Sequence, residues 1–119
     1  MTSRMVTLNL RDLAMSPTAA LFEGQRHAGV GISIFVTRTP PGRAVDLHTH
    51  PYPETFVLLE GHGRWTAGET VAELEPDQLL VVPPATPHGF RNIGDVPLLV
   101  VSVHESGTLD HTWLDEEPA

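Results

Sequence analysis

HTHPYPETFVLLEG, residues 48–61, carries two histidines one residue apart, a glutamate four residues after the second, and an apolar run behind them. In an extended strand, side chains at i and i+2 share a face. His48 and His50 therefore point into one space, and Thr49 points away from it. Two such close imidazoles would repel on protonation, whereas a metal ion would use a lone pair from each. Pro51 and Pro53 stiffen the connection to the next run and so bear on where Glu54 stands. Glu54 would add a carboxylate oxygen to the two nitrogens. Two His and one carboxylate on one face of an ion form the arrangement used by non-haem iron.

Outward from this stretch the chain reads as short strands separated by turns. Glu54–Glu60 is a strand closed by Gly61, and Ala44–His50 is a strand preceded by the turn TPPGR at 39–43. Residues 29–37, GVGISIFVT, are rich in β-branched side chains and predict another strand. Arg64–Thr66 and Thr70–Leu74 flank a turn at Ala67-Gly68-Glu69, and Glu75-Pro76-Asp77 turns again. Leu79–Val82, Pro87–Asn92 and Leu98–His104 complete the series, with a turn at 94–97. Val6, Leu8 and Leu10 alternate and predict a first short strand. Residues 13–21 read as strand or loop, because Ser16-Pro17 interrupts any helix. The acidic tail, from about residue 108 to 119, is expected to fray or pack loosely beyond Trp113–Leu114. Eight to ten short strands with no strong helix make an all-β sandwich or barrel, and no internal boundary divides residues 1–119.

Composition narrows the function classes. A chain of 119 residues suits one domain with its own core. A net charge of -8, with no cluster of Lys and Arg, argues against a nucleic-acid partner. With no cysteine, thiolate nucleophiles and Cys-based zinc sites are excluded, and any metal must be held by His and carboxylate. MTSRMVTLNLRDL lacks the apolar core of a signal peptide, and no apolar run is long enough to cross a membrane, so a soluble cytoplasmic protein is expected. Thr55–Leu59 and Leu98–Val101 are apolar on both faces, which calls for cover on both. A second sheet would cover one face, and a homodimer partner is the simplest cover for the other. The chain's own N-terminal segment is the competing cover.

Seven histidines are many for this length. His88, in PPATPHGFRN, opens a short strand after a proline-fixed turn and is the best fourth ligand beside His48, His50 and Glu54. His27 lies in a polar stretch and His62 between two glycines, and both are expected in solvent. His111 sits in the acidic tail. His104 ends an apolar strand and is a candidate to face the cavity. Tyr52, Arg43, Arg91 and His104 are candidates to contact a substrate, with structural or exposed roles as the competing reading.

Gly42, His48, His50, Glu54 and Gly61 fill every fixed place of a pattern, G-x5-H-x-H-x3-4-E-x6-G, that resembles the first signature of the cupin superfamily. The second signature, G-x5-P-x-G-x2-H-x3-N, is met by Pro83, His88 and Asn92, while Asp77 and Ala85 stand at its two glycines. Asp tolerates the left-handed conformation of such turns better than Ala does, so a changed turn is expected at Ala85. The two patterns cover residues 42–92 with the 15-residue spacer His62–Pro76 between them. The resemblance implies a double-stranded β-helix, a small jelly-roll barrel, with metal ligands His48, His50, Glu54 and His88. It implies one divalent transition metal, Fe, Mn, Ni or Zn, and a small-molecule substrate or ligand. An enzyme of the dioxygenase or Lewis-acid isomerase, cyclase or lyase kind is the leading expectation. A non-catalytic binding or sensor module is the alternative, and a storage role is the weakest.

Overall fold

The computed structural model describes residues 4–119. Eleven strands form two antiparallel sheets that face each other as a flattened barrel. The first sheet holds β1 (Ala14–Ser16), β2 (Ala19–Glu23), β3 (Ser33–Thr39), β5 (Glu54–Glu60), β8 (Leu79–Val82) and β10 (Leu98–His104). Their spatial order is β1-β2-β3-β10-β5-β8. The second holds β4 (Ala44–Thr49), β6 (Gly63–Ala67), β7 (Thr70–Leu74), β9 (His88–Asn92) and β11 (Thr112–Trp113), in the order β11-β4-β9-β6-β7. The jelly-roll expectation is met, and most strand limits fall where the turn residues put them.

The core follows from period-2 burial. Along β10, Leu98, Val100, Ser102 and His104 are buried while Leu99, Val101 and Val103 are half-buried. Phe56 and Leu58 on the neighbouring strand β5 join them, and Trp65 on β6 and Phe90 on β9 meet them from the facing sheet. Trp65 stacks on Phe90 at 4.9 Å between centroids and meets Phe56 edge-on at 5.6 Å. One end of the barrel is thus packed with aromatic and aliphatic side chains, and the histidines gather at the other.

Turn chemistry sets the connections. Pro40-Pro41-Gly42-Arg43 closes with Arg43 N–H donating to Pro40 O at 3.1 Å, and Gly42 takes φ +78°. A left-handed third residue after proline is the type II turn, which favours glycine there. Ala85 also takes a positive φ, +56°, and its N–H donates to His50 O at 2.8 Å. The left-handed turn is therefore kept with alanine in it, because that hydrogen bond ties the loop to the end of β4. Asp77 keeps its turn as well, at φ +72°. Asn92 is buried, and its side chain donates to Thr39 O and Val96 O and accepts from Gly94 N–H. It locks the ends of β3 and β9 and the turn before β10.

Three local expectations are corrected. Val6, Leu8 and Leu10 form no strand: residues 4–9 are irregular and exposed, and a 3-10 turn follows at Leu10–Leu13. Their alternation meets no neighbouring strand to pair with. The strand expected from Gly29 begins at Ser33, because a short helix, α1 (Gly24–Ala28), precedes it. Gly29, at φ +66°, caps that helix, and Val30 N–H returns to Gly24 O at 3.1 Å. The acidic tail does not fray. Leu114 N–H donates to Leu47 O, Leu47 N–H to Glu116 O, and Arg91 bonds Glu117 Oε2 at 3.2 Å. Pro118 is buried, and Ala119 N–H reaches Thr66 Oγ1. The outer face of the first sheet is covered in part by the chain's own N-terminal segment, the competing cover. The turn at Leu10–Leu13 lies against β2 near Ala20 and Val36, while Leu59, Leu79 and Val81 at the β5–β8 side stay exposed. No helix among the described residues is long and apolar enough to cross a membrane.

Candidate metal centre

Strand register assembles the site. β4 pairs with β9 so that His48 stands directly opposite His88. A bulge between Val45 and His48 sets that register, and Gly89 permits it: a Cβ there would lie 2.5 Å from Val45 O. The two rings come within 4.3 Å. In the other sheet β5 pairs with β10 so that Glu54 stands opposite His104. These two cross-strand pairs face one another across the barrel, and His50 joins them from just beyond β4. Donor atoms of His48, His50, Glu54 and His88 all lie within 4.8 Å of one another, and all four residues are buried.

The hydrogen bonds orient the donors. His48 Nδ1 lies 2.9 Å from Asp46 O, His50 Nδ1 2.6 Å from Tyr52 O, and His88 Nδ1 2.7 Å from Thr86 O. A carbonyl oxygen only accepts, so each ring carries its proton on Nδ1 and presents Nε2 to the centre. Backbone carbonyls thereby select one tautomer at three residues, as metal-ligating histidines require. Nε2 of His50 and of His88 each lie 3.0 Å from Glu54 Oε1. Three imidazole nitrogens and a carboxylate oxygen converging within 4.8 Å of one another fit a divalent ion of the Fe, Mn, Ni or Zn kind.

Electrostatics agree with that geometry. Burial lowers the His48 pKa to about 4, with neighbouring His88 and His50 adding to the effect against the Asp46 carbonyl and Glu54. His48 is thus neutral and a lone-pair donor at neutral pH. Burial alone would raise the Glu54 carboxyl, but the histidines around it, first of all His104 donating Nε2–H to Oε2, hold it well below the usual carboxylate range. Glu54 is therefore the one fixed negative charge in the cluster.

Two histidines join the site that the strand pattern alone left open or missed. His104 Nε2 lies 2.9 Å from Glu54 Oε2, the oxygen turned away from His50 and His88. Its Nδ1 is 3.2 Å from Tyr52 Oη, which accepts Asp110 N–H at 3.3 Å. This chain holds the Glu54 carboxylate from behind. Tyr52 also stacks on His50 at 4.3 Å and is buried, so it is a positioning residue. Burial pushes the Tyr52 hydroxyl up from its ordinary value, so it stays a donor. The parity of His104 with buried Val100 and Ser102 was the signal for its place. His111 had no comparable signal. It arrives because β11 pairs with β4, Thr112 opposite Thr49 and Trp113 opposite His48.

The remaining candidates lie elsewhere. Arg43 precedes β4 at the far end from the cluster, roughly 17 Å from His48 at about 3.3 Å per residue. There it borders a hollow of about 400 Å³ with Thr37 and Thr39. Arg91 is bonded to Gly42 O and the tail. His27 is half-buried in α1, stacked on Phe22, and His62 is half-buried as well, so neither is the fully solvated residue expected.

Residues 35–104 match the Cupin domain family. An uncharacterised protein of Methanocaldococcus jannaschii is 34% identical over 76 residues, which is 63% of this chain and 61% of that one. The polyketide synthase CurC of Streptomyces cyaneus is 39% identical over 56 residues, 46% of this chain and 36% of that one. Among solved structures, oxalate decarboxylase from Bacillus subtilis superposes with a TM-score of 0.79 at 21% identity, over 88% of this chain and 30% of that one. Oxalate decarboxylase of Lactobacillus farciminis, in a formate complex, gives 0.76 at 21% identity, over 87% of this chain and 34% of that one. At these identities the structural likeness concerns the fold.

Proposed function

The chain belongs to the cupin family, and we propose that it is a metal-dependent enzyme acting on a small, oxygen-rich organic anion at a mononuclear centre held by His48, His50, Glu54 and His88. The observation that carries this reading is the set of three imidazoles whose Nδ1 atoms are each engaged by a backbone carbonyl, with Nε2 turned toward one carboxylate. Three neutral imidazoles and one carboxylate on a divalent ion leave a net charge of about +1, which favours an anionic ligand. When bound, such an ion supplies Lewis acidity or redox chemistry and open positions for ligand oxygens. The chain's own residues do the rest. His104 and Tyr52 fix the orientation of Glu54, while Phe56 and Phe35 border the cluster with apolar rings. The solved relatives named above are oxalate decarboxylases, and one described in B. subtilis has Mn(II) centres. That supports small carboxylates as the first class to try and Mn as the first metal.

The test is metal analysis of untagged protein reconstituted separately with Mn(II), Fe(II), Ni(II) and Zn(II), followed by oxygen uptake and carbon dioxide release with oxalate and with enolic acids. About one ion per chain and turnover in one assay is the expected outcome. Retention of no metal from any of the four would sink the metal-centre reading. Full metal with tight oxalate binding and no turnover would leave a binding module in place of an enzyme.

Assembly follows the open part of the first sheet. We propose a homodimer formed across the β5–β8 side, where Leu79 is 59% and Val81 58% exposed beside exposed Leu59. Adjacent exposed aliphatics on a sheet face mark an interaction surface. A charge there would be desolvated in the dimer, so Val81→Glu is expected to give monomers in analytical ultracentrifugation while the secondary structure stays unchanged. A wild-type chain that sediments as a monomer at tens of micromolar would refute the assignment.

A further inference from the structure

The C-terminal segment carries into the site a histidine that the four-residue metal set does not use. His111 packs between His48 at 4.8 Å, His104 at 5.2 Å and His50 at 5.3 Å, measured between ring centroids. Phe35 stacks beneath it at 6.2 Å, and Trp113 closes its outer side at 5.8 Å. One of its nitrogens lies within 4.8 Å of donor nitrogens of His50 and His104. Its Nε2 is buried and has no hydrogen-bond partner. A buried polar nitrogen left unpaired is costly, and such atoms normally have a partner when the site is filled.

The nearby nitrogens of His50 and His104 are already engaged, and His48 turns its Nε2 to the proposed ion. His104 uses Nε2 at Glu54 and Nδ1 at Tyr52 Oη. His50 uses Nδ1 at the Tyr52 carbonyl and Nε2 at Glu54. A second metal ion shared by His50, His104 and His111 would have to break these contacts, including the one that holds Glu54 from behind. A ligand that is not protein has no such conflict.

We propose that His111 Nε2 donates a hydrogen bond to a small anion bound at the metal centre, so that the ligand site is complete only when the tail is docked on β4. This rests on the metal-centre reading above. The anion is of the carboxylate or azide class, with an acceptor atom free after one end has met the ion. Docking of the tail is what brings the group there. Thr112 and Trp113 pair with Thr49 and His48, and Leu114 and Glu116 bond both backbone groups of Leu47. The ring therefore stands over His48 on β4 and His50 just beyond it.

The experiment compares wild type with His111→Ala and His111→Gln as full chains loaded with Co(II). Metal per chain is measured first. Azide is then titrated by the visible spectrum of the Co(II) centre, and oxalate by calorimetry on the Mn(II)-loaded chain. The expected result is unchanged metal content, with azide and oxalate affinity lowered roughly 10- to 100-fold in His111→Ala, the range for a hydrogen bond to a charged group. His111→Gln, whose amide N–H₂ reaches a similar place, should recover part of that loss. Affinities within twofold of wild type in His111→Ala at full metal content would overturn the proposal. So would loss of metal from both variants, which would make His111 a ligand or a purely structural residue. Should His111→Ala fail to fold, His111→Gln decides alone: wild-type metal with weakened anion binding supports the contact, and unweakened binding overturns it. A wild-type chain that takes up no metal overturns the metal-centre reading itself, and this proposal with it.

Discussion

Replacing His88 with alanine is expected to empty the metal centre and lower the melting temperature in the same sample. His88 is 1% exposed, opposite His48 across β4–β9, with Nε2 3.0 Å from Glu54 Oε1. Its loss removes one of four donors. Even changes to residues behind metal ligands cost roughly 10- to 100-fold in affinity, so removal of a ligand should cost more. Metal per chain should fall from about one to roughly a tenth or less at equal free metal. Bound metal stabilises the folded chain by about 3 kcal/mol when its free concentration is roughly a hundredfold above Kd. Losing that corresponds to a drop on the order of 10 °C for a chain of this size. Truncating a buried ring also leaves a cavity, so the contrast with chelator is the deciding measurement. The gap between variant and wild type should shrink when both are melted in EDTA. Full metal content in His88→Ala would refute the four-ligand centre. An undiminished gap in EDTA would mean that His88 serves packing alone.

Trp65→Ala should destabilise the chain as severely, by a different route. Trp65 is 1% exposed and sits between Phe90 and Phe56 at the packed end of the barrel. Truncating a fully buried tryptophan costs about 3–5 kcal/mol through lost burial and the cavity left behind. Total stability of such domains is about 5–15 kcal/mol, so the variant should lie near its unfolding threshold. The melting temperature of metal-free protein should fall by roughly 10–20 °C. Trp65→Phe is the informative partner. Its indole Nε1 is buried with no hydrogen-bond partner, so deleting the N–H breaks no bond, and most of the ring volume remains. That variant should cost on the order of 1 kcal/mol. The damage in Trp65→Ala should also reach the centre, because Phe56 touches both Trp65 and His88 and stands two residues from Glu54 on β5. Denaturant melts in EDTA check the stability, and metal titration checks the transmission. A Trp65→Ala cost within 1 kcal/mol of wild type would contradict this account of the core.

What could be read from the residues, and what could not, divides by range. Strands such as Glu54–Glu60, Leu79–Val82 and Leu98–His104 were legible because period-2 burial and turn residues act over a few positions. The convergence of His48, His50, Glu54 and His88 was legible because H-x-H parity and the resemblance of two spaced patterns both concern residues held by tight turns. The inward face of His104 followed from parity along β10, though its contact with Glu54 did not. Where expectation and structure part, the cause is a partner absent from the local pattern. Val6, Leu8 and Leu10 alternate like a strand but have no neighbouring strand to pair with, so the alternation is left exposed.

The amino-acid sequence by itself determined that this chain is an all-β jelly roll with a histidine-rich centre, because alternation, prolines and glycines act locally and leave few other ways to bury Phe56, Leu58, Trp65 and Phe90. Only the tertiary structure decided which groups surround that centre. Register across β5–β10 puts His104 behind Glu54, and register across β4–β11 brings His111 from the far end of the chain over His48 and His50. Both depend on hydrogen bonds between strands roughly 50 to 65 residues apart in sequence, where a shift of one residue would turn each side chain to the opposite face.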